Sequence, residues 1–320
     1  MLKKQSYLLF ILMMMLTVFM VGCSSTDNEE SKKKKVDNTT STTFPLEVQD
    51  GSGEKIKIEE KPESIVSLLP SNTETAYALG LGEKIIGVSD YCNFPTEAAD
   101  KPKVGGLEIN VEKVLELNPD LLLLSASHFN NAKETIKQFQ TAGIDVVIVP
   151  DANSFEEAYK TIELIATATG TSEKGQEIID KMKKEVSDIQ EKASGIKEKK
   201  KVWIELSSSP DLYTAGSNTF MGDMLEIIKA ENIAADQEGW ITISEEQVIE
   251  RNPDVIITTY GYYIDNPEEQ IYGRKAWSEV QALKKKQIYD VNNDTVSRPG
   301  PRLTEGLQML AEKIYPETFK

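Results

Sequence analysis

One histidine, His128, stands among 320 residues, which excludes any site built on two or three imidazoles, the common zinc centres included. Cysteine is nearly as scarce: Cys23 and Cys92 cannot make a disulfide framework. Basic residues fall short of acidic ones, 36 Lys and Arg against 52 Asp and Glu. The net charge of −16 has the wrong sign for a nucleic-acid footprint. Beyond the first 22 residues no apolar run approaches the roughly 18 that a membrane-spanning helix requires. The signatures G-x-S-x-G, G-x-x-x-x-G-K-[ST] and G-x-G-x-x-G after a strand are all missing. Gly80-Leu81-Gly82 ends a helix instead of opening one.

What is there is an ordinary globular composition, 39% hydrophobic and 28% charged. At roughly 150 residues per domain, the length fits two lobes. The N-terminus is of another kind. Lys3 and Lys4 precede a nearly unbroken apolar stretch over 8–21, which runs into Met20-Val21-Gly22-Cys23. This is a secretory signal, to be set aside from fold reasoning. It resembles the bacterial lipoprotein signal, which implies cleavage before Cys23 and acylation of that residue. Two or three acyl chains hold a protein at a membrane surface where one alone is marginal. Removing 1–22 takes Lys3 and Lys4 and no acid, so the charge moves from −16 to −18. Residues 26–43, with Lys32 to Lys35 and a Thr/Ser run, are too polar to bury a core and read as a flexible tether. Cys92 is then alone and reads as a buried, inert thiol.

The rest alternates strand and helix. A hairpin over 46–48 and 55–58 turns at Asp50-Gly51-Ser52-Gly53. Strands are expected at 64–69, 85–88, 121–124 and 146–149, with helices at 73–79, 111–117 and 131–142. Pro70-Ser71-Asn72 is read as a break. Unbroken apolar strands in β-α-β order imply parallel sheet covered on both faces. A helix over 154–169 is followed by a Lys- and Glu-rich one over 173–196, about 30 Å long at 1.5 Å per residue, which suits a connector between lobes. The second half has the same alternation, with strands at 201–206, 255–259 and 288–291, helices at 219–229, 245–250 and 303–315, and a loop over 207–217. The expected division is signal 1–22, tether 23–43, first lobe 44–171, connector 172–197 and second lobe 198–320.

An internal repeat carries the most information. NVEKVLELNPDLLLL at 110–124 and SEEQVIERNPDVIIT at 244–258 agree at six of fifteen positions, at an offset of 134. The identities are Glu112/Glu246, Val114/Val248, Glu116/Glu250, Asn118/Asn252, Pro119/Pro253 and Asp120/Asp254. Each copy reads as a capped short helix, stopped before proline, then a buried strand; Ser244 with Gln247 fits a capping box. Two similar lobes leave a cleft between them, a favoured place for a ligand. Glu112 and Glu246 have two readings: complements to a helix dipole, about 0.3–1 kcal/mol each, or a matched pair for a two-fold symmetric partner.

Loops after the carboxyl ends of parallel strands bind ligands, and aromatics gather there: Tyr91 and Phe94, Tyr213, Tyr260, Tyr262 and Tyr263, with Trp240 ahead of the second repeat helix. Together they suit the wall of a cleft for a large, flat, partly apolar ligand. His128 and Phe129 come just after the strand at 121–124. Asp294, Arg298 and Arg302 add polar groups around Pro299-Gly300-Pro301, where a salt-bridged structural role for Arg298 is the alternative. Trp277 reads as core.

The stretch SIVSLLPSNTETAYALGLGEKIIGVSDYCNFPTEA at 64–98 resembles the opening of the cobalamin-binding members of the solute-binding proteins of ABC importers, in the class whose lobes are joined by a single long helix. The resemblance continues through both NPD repeats to 297–302. It implies an α/β fold of two Rossmann-like lobes, each with a central sheet, and a ligand cleft between them. It places Pro70, Ser71 and Asn72 at the cleft floor, Tyr91 against a corrin, Tyr213 and Trp240 opposite, and Asp294 and Arg298 as polar contacts. Glu112 and Glu246 match the pair that meets arginines of a dimeric permease. Family members often carry tryptophans at Gly105-Gly106-Leu107 and Ser127-His128-Phe129; this chain has none there, so His128 and Phe129 stand in as wall residues. A ferric siderophore or haem remains the alternative cargo. The expectation is thus a monomeric, lipid-anchored receptor on the extracytoplasmic face of the cell membrane. It has no catalytic residue, metal site or cofactor, takes cobalamin or a related corrinoid as cargo, and delivers it to a permease with its ATPase. An enzyme on a similar scaffold is the reading from another class.

Overall fold

A computed structural model describes residues 42–127, 132–208, 210 and 212–319. The signal, Cys23 and most of the tether lie outside the described residues. Among the described residues twelve strands occur in order: β1 (Leu46–Gln49), β2 (Lys55–Ile58), β3 (Ile65–Ser67), β4 (Ile85–Val88), β5 (Leu121–Ser125), β6 (Asp145–Val149), β7 (Lys201–Glu205), β8 (Leu212–Ala215), β9 (Glu231–Asn232), β10 (Trp240–Ile243), β11 (Val255–Thr258) and β12 (Ile288–Asp290). Two four-stranded sheets form, ordered β4-β3-β5-β6 and β12-β11-β7-β9, and every pairing in them is parallel. Helices cover their faces, which is why strands such as Leu121–Ser125 are buried at every position. The fold is α/β with two lobes, each built on one sheet.

Taken from its other edge, the second sheet is β9-β7-β11-β12, the same arrangement as the first. The central pair β3 and β5 corresponds to β7 and β11, and the repeat explains why. Both repeat helices have seven residues, Val111–Leu117 and Glu245–Arg251. Asn110 caps one by accepting from the Lys113 N–H, and Ser244 caps the other from the Gln247 N–H, with the reciprocal Gln247 bond completing a capping box. Both stop at an asparagine in the left-handed region, Asn118 at φ 46° and Asn252 at φ 48°, a conformation asparagine tolerates well. Proline then prevents continuation. The aspartate after it ties the neighbouring strand: Asp120 Oδ2 accepts from the N–H groups of Glu63 and Ser64, and Asp254 Oδ2 from that of Lys201.

The join between lobes is a helical pair. Phe155–Ala168 packs along Ser172–Ala193, whose 22 residues span about 33 Å at 1.5 Å per residue. Gly175 permits the contact: a Cβ there would stand 2.5 Å from that of Ala166. The first half of the shorter helix, through Phe155, Ala158, Tyr159 and Ile162, packs in the second lobe's core, while Ile165, Ala166 and Ala168 pack in the first. Ile178 of the long helix touches both cores. Asp223 of the second lobe accepts from the Phe155 N–H at 2.9 Å, fastening the start of the shorter helix. The long helix Ser172–Ala193 is the rod the sequence suggested, and the shorter helix is braced against it.

Three local expectations change. Pro70-Ser71-Asn72 does not break the chain into a loop; it forms the first turn of helix Pro70–Ala78, where proline's missing N–H costs nothing. The expected loop over 207–217 contains β8, which pairs antiparallel with β10, a strand the sequence did not suggest. Pro267–Tyr272 is a further short helix.

Burial raises the Asp120 carboxyl, but the N–H groups of Glu63 and Ser64 and the Ser64 hydroxyl outweigh it and hold the pKa below the usual value. A depressed folded pKa means stabilisation that is present above the unfolded pKa, near 3.9, and lost as pH falls through the folded one. Asp120→Ala is expected to lower stability by about 1 kcal/mol at neutral pH, because the group is exposed and only modestly desolvated. Urea unfolding at pH 7 and in acid checks this; the difference between variant and parent should shrink as pH falls through the folded pKa of Asp120.

Candidate functional site

The loops leaving the carboxyl ends of the two sheets meet between the lobes. Behind them lies a cavity of about 370 Å³. Leu69, Ser71 and Asn72 form its first-lobe floor, residues 149–153 and Thr161 one side, and Phe220, Trp240 and Pro299 the second-lobe wall. Trp240, half-buried on β10, leans on Phe220 with ring centroids 5.1 Å apart. No lysine or arginine is among these lining residues. Asn72 is 2% exposed, and its Nδ2 finds no acceptor, so a donor waits at the floor.

Beside the cavity the lobes are clasped by charge. Glu74, four positions into helix Pro70–Ala78, is 4% exposed. Arg302 Nε donates to its Oε2 at 2.8 Å and Nη2 to its Oε1 at 2.7 Å; Arg298 Nη1 donates to Oε1 at 2.8 Å. Arg298 also holds Asn93 Oδ1 at 2.7 Å and Asp294 at 2.8 Å, and Asn93 donates to Asp294 at 3.0 Å. The Arg302 guanidinium carbon lies over Phe94, 3.7 Å from the ring centroid. Glu74, Asn93 and Phe94 belong to the first lobe and the arginines with Asp294 to the second. Two carboxylates and two guanidiniums make a neutral set. Losing one member of such a buried pair typically costs about 3–5 kcal/mol, since the other charge is left without water or partner. Between the arginines, Gly300 lies against the Ser71 carbonyl, where a Cβ would sit 3.4 Å away.

A chain of small groups fixes the post-β4 loop that carries Tyr91 and Asn93. Thr73 donates to Ser67 at 2.8 Å, and the Cys92 sulfur lies 3.1 Å from the Thr73 hydroxyl and 3.2 Å from that of Ser89. Cys92 is buried and free.

The residues singled out from sequence fall in different places. Ser71, Asn72 and Trp240 line the cavity, while Pro70 sits half-buried at the helix start. Tyr91 is exposed on the first lobe over Gly106, and Tyr213 is exposed on β8. Asp294 and Arg298 are turned into the clasp, which is the salt-bridged alternative for Arg298. Tyr260 is corrected: it is wholly buried and donates to Glu205 Oε1 at 2.6 Å, so it presents nothing to a ligand. Burial and the Glu205 carboxylate push its hydroxyl far above the ordinary tyrosine value. Glu205, itself buried at the end of β7, also receives a bidentate Arg274 and the Trp203 indole N–H. Arg274 in turn stacks on Trp277, which is core as expected. His128 and Phe129 lie outside the described residues. Sequence reading missed Glu74 and Asn93. The available signal was a glutamate inside a helix too buried to leave it unpaired, with a twice-arginine segment later in the chain.

The repeat adds a second surface. Val114 and Val248 are core, the asparagines cap, the prolines are buried, and the aspartates tie strands. The two remaining identities, Glu112/Glu246 and Glu116/Glu250, are all exposed. Glu116 pairs with Lys113 at 2.9 Å, but Gln247 stands at the matching position, so the copies share no such bridge. The Glu246 carboxyl is held below its usual pKa by its own backbone N–H and by Ser244, and stays ionised. Among the described residues no helix is long and apolar enough to cross a membrane.

Known proteins resemble this chain. A family model described as periplasmic binding protein matches residues 65–295. YvrC of Bacillus subtilis, an uncharacterized ABC transporter substrate-binding lipoprotein, is 47% identical over 279 residues, covering 87% of this chain and 88% of that protein. A vitamin B12-binding protein of Pectobacterium carotovorum is 28% identical over 79% of this chain and 88% of its own length. Among solved structures, a possible iron-binding periplasmic solute-binding protein of Staphylococcus epidermidis is 39% identical. It superposes with a TM-score of 0.72 over 80% of this chain and 100% of that one.

Tyr260→Phe removes one donor from a buried carboxylate. Stability is expected to fall by about 1–3 kcal/mol, measured as a lower urea midpoint at unchanged slope.

Proposed function

We propose that this chain, which belongs to the periplasmic binding protein family and is the substrate-binding component of an ABC importer, not an enzyme, takes cobalamin or a related corrinoid as its cargo, holds it between the lobes and hands it to a dimeric permease driven by a separate ATPase. The observation that carries this reading is the chemistry of the cavity wall. It offers amide and hydroxyl groups from Asn72, Ser71, Asn153 and Thr161 and an indole from Trp240, and its one charged member is the Asp151 carboxylate, with no lysine or arginine among them. Both nearby arginines are spent on Glu74 and Asp294. A corrinoid is a flat macrocycle fringed by neutral amides, which calls for such groups. An anionic ferric chelate or a haem with its carboxylates calls for free positive charge. The relative that binds vitamin B12 supports the corrinoid; the possible iron-binding structure keeps a ferric siderophore as the rival.

Tyr91 and Tyr213, one exposed on each lobe, are proposed as rim contacts. Glu112 and Glu246 are proposed as the docking pair. They hold matching places in two matching lobes and serve no shared internal contact, which suits a two-fold basic surface. Acylation of Cys23 would keep the receptor at the membrane face, in keeping with a relative that is itself a lipoprotein.

Calorimetry of the full chain in detergent, with cyanocobalamin, a ferric siderophore and haem side by side, tests the cargo. Saturable one-to-one binding to cyanocobalamin alone is expected; saturation by the ferric chelate alone would overturn the corrinoid and keep the transport role. Trp240→Ala should weaken cobalamin binding at least tenfold, about 1.4 kcal/mol. Reversing both Glu112 and Glu246 to lysine should abolish uptake by cells while calorimetric affinity stays unchanged. Loss of affinity in that variant would remove the docking role.

A further inference from the structure

We infer that Glu74, Arg298 and Arg302 set the spacing of the lobes and thereby select the cargo by size: the clasp must yield for a ligand larger than the cavity beside it. These are positioning residues. The cavity and the clasp share a wall, since Pro299 of the cavity lies between Arg298 and Gly300, and Ser71 of its floor lies one helical turn before Glu74. At about 370 Å³ the space is near the lower end of ligand pockets, which run from roughly 300 to 1,000 Å³. A corrin ring with its nucleotide loop does not fit there while the lobes stand as close as the clasp holds them.

The clasp is built to open as a unit. Its charged members are two arginines and two carboxylates, and its net charge is zero. Its first-lobe half rides on helix Pro70–Ala78 and the post-β4 loop, and its second-lobe half on the segment after β12. The helical pair packs against both halves of the clasp, the shorter helix on helix Pro70–Ala78 and the long one through the Thr304 hydroxyl, which donates to Glu185 at 2.6 Å, and it keeps the lobes joined while the clasp parts. An open state is then separated from the closed one by the exchange of protein hydrogen bonds for water on a few charged groups. A ligand that requires the open state shifts that balance by its preference for it. Weakening the clasp raises the fraction already open, and the apparent affinity rises with it.

Selection by size rests on the corrinoid reading; the spacing of the lobes by the clasp does not, so the two are read separately. Spin labels are placed at Lys137→Cys and Glu279→Cys, exposed sites on the two lobes, in the otherwise unmodified full chain in detergent, with the parent as labelling control. Pulsed electron paramagnetic resonance then reads the interlobe distance without ligand. The parent is expected to give one narrow distribution. Glu74→Gln leaves two guanidiniums facing one carboxylate, and the distribution should broaden and move outward. Asn93→Ala removes only the two Asn93 bonds from an exposed residue, and should show a smaller shift in the same direction even where Glu74→Gln fails to fold. An unchanged distribution in the folded variants overturns the clasp. Stopped-flow binding of cyanocobalamin should then be at least tenfold faster in Glu74→Gln than in the parent, with tighter affinity. Weaker or slower binding overturns the size selection. Outward movement with no cobalamin binding in either protein supports the clasp and rejects the corrinoid.

Discussion

A carboxylate cut off from water needs cations at contact distance, and Glu74 has them only if the two lobes meet. Its helix belongs to the first lobe, and both of its arginines arrive from the segment after the last strand of the second. No arrangement inside one lobe satisfies it among the described residues. The same contact lays Pro299 and Gly300 over Ser71, closes one side of the cavity and turns Arg298 away from it. Whatever enters the space between the lobes meets a wall with its arginines already occupied.

That occupation is what gives the cavity its character. Arginines near a cleft would ordinarily read as a trap for anions. Here each guanidinium already faces carboxylate, so the polar groups that line the cavity are amides, hydroxyls, an indole and the Asp151 carboxylate. The unpaired Asn72 donor is the polar group most exposed to the choice of ligand, because a buried amide without an acceptor is costly until something supplies one. In the second lobe Glu205 is treated differently. Its four hydrogen bonds come from Trp203, Tyr260 and Arg274 of its own lobe, which makes it an internal brace.

Duplication explains the rest of the architecture. Two copies of one capped helix and strand have kept the residues that terminate the helix, fill the core and tie the next strand. They have also kept two exposed glutamates that do none of this. In a pair of copies that agree at only six positions of fifteen, these exposed identities, Glu246 among them with its own N–H and Ser244 as local partners, are what the docking proposal rests on.

Local chemistry was enough to determine the parts of this protein whose causes are local. The helix at 111–117 was legible to the residue from its cap, its asparagine and its proline, and the parallel strands from apolar runs in alternation with helices. The burial of Trp277 and of Cys92 was legible too, as were two lobes; the places of Ser71, Asn72 and Trp240 came only from the resemblance to a family, not from local chemistry. Tertiary structure decided the rest. β8 and β10 pair across some twenty-five residues, and neither has a strong pattern of its own. Pro70 could end a strand or begin a helix, and the packing of residues 71–76, all buried, chose the helix. Tyr260 looked like its neighbours Tyr262 and Tyr263, yet Glu205 drew it inside while they remain exposed. Glu74 and Arg302 are 228 positions apart. Nothing in either segment specifies the other, because the force that joins them, the cost of a charge without water, exists only after the lobes have closed over it.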